Sequence, residues 1–122
     1  MLENDLYRLV RCERLPEAGY AVEATLDPRH AVYGGHFPGH PVMPGVCLLE
    51  IVRAGVGRAI GRPVFFVALR SCKFLAPVVP ATDERLKLAF TVAEETGEVR
   101  CTAVWQERTV LKLVGTVAPD RP

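Results

Sequence analysis

The chain has 122 residues, 49% of them apolar and 24% charged, the size and balance of one globular domain, which excludes a disordered chain and any need for disulfide or metal staples. Fifteen basic against fourteen acidic side chains leave a formal charge of +1, so there is no electrostatic case for nucleic-acid binding.

A single domain is expected over residues 1–122. No apolar run reaches the roughly 18–20 residues of a spanning helix, and the start carries Glu3, Asp5, Arg8 and Arg11, unlike a signal peptide. A cytoplasmic protein without a membrane partner is therefore expected. Cys12, Cys47, Cys72 and Cys101 form no C-x-x-C pair and each has apolar neighbours, so they read as buried thiols in a reducing compartment.

Residues 5–33 are mixed, but Tyr20 to Leu26 roughly alternates and predicts a strand. In residues 34–45, seven of twelve are Gly or Pro, which predicts a stiff, irregular loop. Val46 to Ile60 predicts a helix, with Pro44 in its first turn and Gly61 as its C-cap. Its apolar residues fall on nearly every face, so it should be buried. Gly55 and Gly57 would mark close packing.

Strands follow. Val64 to Phe74 is β-rich, and Pro77 and Pro80 end the run. Leu86, Leu88, Phe90 and Val92 alternate with less apolar residues, Thr96-Gly97 turns the chain, and Val99, Cys101, Ala103 and Trp105 share a face of the return strand. Val110 to Ala118 supplies another. One strand, a long loop, one helix and about four antiparallel strands make an α+β domain with the sheet wrapped around the helix.

Two ionisable residues break this pattern. His36 lies in the Gly/Pro loop, and Glu50 lies in the helix between Leu49 and Ile51. Glu50 is either on a solvated stripe, paired with Arg53 or Arg58, or buried with its pKa raised so that it can donate a proton. His36 is either a backbone-bonded loop histidine or a base held beside a helix N-terminus. The amides at Gly45 and Val46 could there polarise a carbonyl. Three weaker arrangements compete: a metal site from His30, His36 and His40, a Cys47 nucleophile paired with His36, and a basic docking patch of Arg53, Arg58, Arg70 and Lys73. The histidine spacing matches no zinc pattern, and apolar neighbours disfavour a Cys47 thiolate.

The run Gly35-His36-Phe37-Pro38-Gly39-His40-Pro41-Val42-Met43-Pro44-Gly45-Val46, with Glu50 fourteen residues after His36, resembles the signature of the β-hydroxyacyl-(acyl carrier protein) dehydratases, which have the hotdog fold. Lys73 to Pro80 resembles the family's segment after the helix. The resemblance implies that His36 takes the C2 proton of a 3-hydroxyacyl thioester, that Glu50 protonates the departing 3-hydroxyl, and that Gly45 and the helix start hold the thioester carbonyl. Phe37, Met43 and the helix's apolar residues would line an acyl tunnel. It further implies fatty-acid or related acyl-chain synthesis, an acidic acyl carrier protein or coenzyme A as the thioester's carrier, no cofactor, and a homodimer joined edge to edge. In such a dimer each site takes its histidine from one subunit and its acid from the other. Glutamate at position 50 matches the branch that only dehydrates. Two departures, no glutamine after Glu50 and Pro80-Ala81-Thr82-Asp83 where the family has Pro-Gly-Asp, mark a divergent member. A hotdog thioesterase, or an acyl or carrier-protein binding module without catalysis, are the rival readings.

Overall fold

A computed structural model describes residues 6–35 and 39–120. Two strands come first, β1 (Tyr7–Leu15) and β2 (Gly19–Leu26), then a single helical turn, α1 (Val32–Gly35), and the long helix α2 (Gly45–Ile60). Four strands follow: β3 (Val64–Phe74), β4 (Leu86–Ala93), β5 (Glu98–Trp105) and β6 (Arg108–Pro119). They form one six-stranded sheet in the order β1-β2-β4-β5-β6-β3, antiparallel at every pairing. Helix α2 packs against β1, β2, β3 and β4, so the sheet curves around it as the sequence predicts.

The alternation in β4 places Leu86, Leu88, Phe90 and Val92 under the helix and turns Lys87, Ala89, Thr91 and Ala93 outward. β5 buries Val99, Cys101, Ala103 and Trp105 in the same way. Between them Gly97 takes φ +77° and its carbonyl accepts the Val117 amide at 2.9 Å. A Cβ there would sit 2.3 Å from the Val117 carbonyl oxygen, so the turn excludes every other residue.

Three expectations are corrected. Two strands precede the loop, not one, because Pro16 to Ala18 turns β1 back on β2, with Glu17 and Ala18 both at positive φ. Helix α2 is buried on one stripe only: Cys47, Leu48, Ile51, Val52, Gly55, Val56 and Gly57 face the sheet, whereas Val46 is 72% exposed. Of the cysteines, Cys47 and Cys101 are buried, Cys72 is half-buried, and Cys12 is exposed in the second half of edge strand β1. An edge strand has a neighbour on one side alone, which leaves its outer residues uncovered.

Close packing under the helix is as expected. A Cβ on Gly55 would meet Leu88 Cδ1 at 3.1 Å, and one on Gly57 would meet the Arg62 carbonyl oxygen at 3.0 Å. Gly61 ends α2 in the left-handed region, its amide bonded to the Gly57 carbonyl. Ile51 is fully buried at the centre of the stripe. Ile51→Ala is expected to cost about 2–5 kcal/mol, from lost burial and the cavity left behind. A urea midpoint unchanged from wild type would contradict this packing.

Candidate active site

The chemistry collects at the N-terminal end of α2. Pro44 precedes the helix in extended conformation and among the described residues no side chain caps it, which leaves the positive end of the helix dipole at Gly45 and Val46. The ring of Phe74 from β3 lies across Gly45, where a Cβ would come within 2.8 Å of its Cζ atom. That close approach is a packing reason for glycine that the loop composition alone did not reveal. The loop is tied down at Met43, whose amide donates to the Val78 carbonyl at 2.8 Å. Met43 is buried and, with Val42, Gly45, Leu48, Phe74 and Leu75, lines an apolar groove of about 500 Å³.

On the other side of the first turn, Val46, Cys47, Leu49, Glu50, Arg53 and Phe66 line a second hollow of about 380 Å³. Glu50 is half-buried there and held at both oxygens. Arg53 Nε donates to Oε1 at 2.8 Å and Arg53 Nη2 to Oε2 at 2.6 Å, while the Tyr7 hydroxyl of β1 donates to Oε2 at 3.2 Å. Arg53 is itself anchored, Nη1 donating to the Val64 carbonyl of β3 at 3.1 Å. Of the two readings of Glu50, pairing with Arg53 is therefore the one observed, and the expectation of a raised pKa is corrected. The Arg53 guanidinium holds the carboxyl below the usual glutamate range, with help from Tyr7, and outweighs the upward push of desolvation.

His36 and Phe37 lie outside the described residues. They are bracketed by α1, which ends at Gly35, and by Gly39. His30 accepts the Val32 amide at Nδ1, 2.9 Å, and so caps α1. Among the described residues no group of His, Cys, Asp and Glu is placed to hold a metal ion. The Cys47 thiol is pushed up by burial and by the neighbouring Glu50 charge, which disfavours the thiolate a nucleophile needs.

The four basic residues of the expected docking patch have different partners. Arg53 is committed to Glu50, Arg70 lies 3.4 Å from Glu98, and Lys73 is exposed on β3. Arg53 and Arg58 instead share a groove of about 450 Å³ with Arg62, Leu9 and Gly57. A larger cleft of about 630 Å³, lined by Glu23, Asp83, Glu84, Arg85 and Lys87, does not touch the helix N-terminus.

Two residues escaped the sequence reading. Tyr7 reaches Glu50 from 43 positions away, and only recognition of β1 as a strand, with Tyr7 and Leu9 on its inner face, could have found it. Tyr33, on the turn just before His36, has a buried hydroxyl without a hydrogen-bond partner among the described residues, pushed up to about 12 by burial first and by Cys47 and Asp27 next.

Comparison with known proteins gives a consistent family. The chain resembles the 3-hydroxyacyl-(acyl-carrier-protein) dehydratase FabZ of Granulibacter bethesdensis, 35% identical over 97 residues that cover 71% of this chain and 54% of the relative. The FabZ of Latilactobacillus sakei is 37% identical over 91 residues, covering 60% of this chain and 65% of the relative. The chain spans about half the length of the first curated relatives it matches. Among solved structures, the dehydratase heterocomplex ApeI:P of Xenorhabdus doucetiae superposes with a TM-score of 0.76 at 20% identity, over 90% of this chain and 96% of that one. The PaaI protein of E. coli superposes at 0.64 with 17% identity, over 98% of this chain and 83% of that one. These likenesses place the domain in the hotdog fold. A family model described as ApeI-like, ApeI dehydratase, matches residues 13–111, a span that takes in the Gly/Pro loop, Glu50 and most of the sheet, and the chain belongs to the ApeI-like dehydratase family.

Proposed function

We propose that this protein removes water from a 3-hydroxyacyl thioester to give the trans-2-enoyl thioester, in fatty-acid or related acyl-chain synthesis. The observation that carries the reading is the meeting, at one helix end, of an uncapped N-terminus at Gly45 and Val46, an apolar groove at Met43, and the Glu50 carboxylate one turn on. Proton abstraction beside a carbonyl needs donors aimed at the oxygen that gains charge, a base at C2, and a group at the departing hydroxyl. The amides of Gly45 and Val46 serve the oxygen, His36 is the base, Glu50 engages the hydroxyl, and the acyl chain lies along the Met43 groove.

FabZ relatives are named for acyl-carrier-protein substrates, which supports a carrier-bound thioester here. An acidic carrier would find Arg58 and Arg62 beside their groove on α2. The proposed state is a cytoplasmic homodimer. Among the described residues no helix is long and apolar enough to cross a membrane.

The decisive experiment follows 3-hydroxyacyl thioesters of short and long chain, on carrier protein and on coenzyme A. Conjugated enoyl thioester is the expected product. Release of free thiol instead would identify a thioesterase, a reading favoured by one observation, since an ionised Glu50 also suits activation of water. Acyl ligand bound with neither product would identify a binding module.

A further inference from the structure

A proton donor and a bidentate arginine partner are at odds in one carboxyl group. Arg53 meets both Glu50 oxygens with two short bonds and Tyr7 adds a third at Oε2, donors that all favour the ionised acid, while Oε1 keeps a lone pair for one more donor. Bidentate guanidinium–carboxylate pairs favour the ionised acid and fix its plane. The clamp is built from three elements: Glu50 and Arg53 one turn apart on α2, the Tyr7 hydroxyl from β1, and the Val64 carbonyl from β3, which holds the far side of the guanidinium. Arg53 therefore cannot swing away from Glu50 without losing an anchor in the sheet.

Resting on the dehydratase reading, we propose that Arg53 is a positioning residue that holds Glu50 as a carboxylate, so that Glu50 accepts the hydrogen bond of the substrate's 3-hydroxyl instead of donating a proton to it. The proton balance of the elimination then closes through one base. His36 takes the C2 proton, and the C2–H electron pair becomes the C2–C3 double bond as the C3–O bond breaks. The proton on His36 then passes to the leaving oxygen, which departs as water. Glu50 ends as it began, ionised, having oriented the hydroxyl along the bond that breaks.

The charged and titratable groups around Glu50 agree on the sign. Arg53 and the Tyr7 hydroxyl favour the carboxylate, and desolvation opposes them. Cys47 on the same helix answers the Glu50 charge by holding its own proton. Asp120, beyond β6, further favours the charged form of Arg53. Removing Arg53 therefore raises the pKa of Glu50, and the carboxyl gains its proton at a higher pH as the solution is acidified.

The test compares wild type with Arg53→Gln and Arg53→Lys in the pH dependence of kcat and kcat/KM. The Glu50 carboxyl is titrated in parallel by carbon-13 NMR, with Glu50→Gln assigning the signal. In Arg53→Gln the Glu50 titration is expected to move up by about one pH unit or more. Its kcat at neutral pH should fall about tenfold to a hundredfold, with KM changed much less. Arg53→Lys should restore most of the titration's position, because it keeps the charge, and little of kcat, because it loses the fork. Faster turnover in Arg53→Gln, or a Glu50 titration that does not move, overturns the proposal. The titration needs no substrate, so it decides the clamp even if wild type makes no enoyl product, an outcome that would overturn the dehydratase reading separately.

Discussion

His36→Ala should lower enoyl-thioester formation by about 10²–10⁴-fold, the usual contribution of a general acid–base group, and Glu50→Gln, which removes the carboxylate that orients the leaving hydroxyl, should remove most turnover as well, while the protein keeps its fold. The two substitutions act on different steps. Alanine at 36 removes the base that takes the C2 proton. Glutamine at 50 keeps the shape of the carboxyl and one acceptor for Arg53 but loses the charge that the Arg53 fork holds in place. Glu50 is half-buried and contributes nothing to the core cluster, so thermal unfolding should change little. Turnover close to wild type in either variant would remove that residue from the site. Loss of turnover together with loss of the folding transition would mean that the residue supports structure instead of chemistry.

How far the site could be read from sequence depends on which physical signals are local. β4 and β5 were legible because each buries one face under the helix, which writes a period of two into Leu86, Leu88, Phe90 and Val92 and into their partners on β5. β1 was not, because it is an edge strand with Arg8, Arg11, Glu13 and Arg14 along it, and its turn uses Glu17 and Ala18 at positive φ. Those are not the Asn and Gly that usually announce such a hairpin. The reading of Glu50 as a buried acid, one of its two, fails for a different reason. Apolar neighbours at 49 and 51 look like burial along a sequence, but on a helix adjacent residues point about 100° apart. Ile51 faces the sheet while Glu50 faces a hollow beside it. Helix geometry also decides between the two arginines offered as partners. Arg53 is three residues on and on the same face, whereas Arg58 is eight residues on and two turns away. Tyr7 completes the clamp across the longest separation, and nothing local to Glu50 predicts it.

Charging the outer edge of β3 should dissociate the protein into monomers and abolish turnover. β3 ends the sheet, and along it Phe65, Val67 and Leu69 are 41%, 53% and 42% exposed. An apolar edge with unpaired backbone groups invites another strand. A two-fold pairing of two such edges closes on itself and covers both β3 strands, with β1 left as the outer edge of each subunit. Val46 and Phe66, which border the Glu50 hollow, lie on the same side of the molecule as β3, so a second copy at this edge would also close the site. Val67→Lys combined with Leu69→Lys places like charges opposite each other in the paired state, and sedimentation should then report a monomer with folded secondary structure. A dimer that survives both lysines would show that another surface joins the subunits. The shared site makes a sharper demand on the intact edge. If each site takes His36 from one subunit and Glu50 from the other, mixing inactive His36→Ala and Glu50→Gln subunits after dissociation must restore activity, because every mixed dimer regains one complete site. Random reassortment of equal amounts gives about a quarter of wild-type turnover in a two-fold dimer. Recovery near that level ties the edge strand to catalysis, and no recovery from a proven mixed dimer would confine His36 and Glu50 to the same subunit.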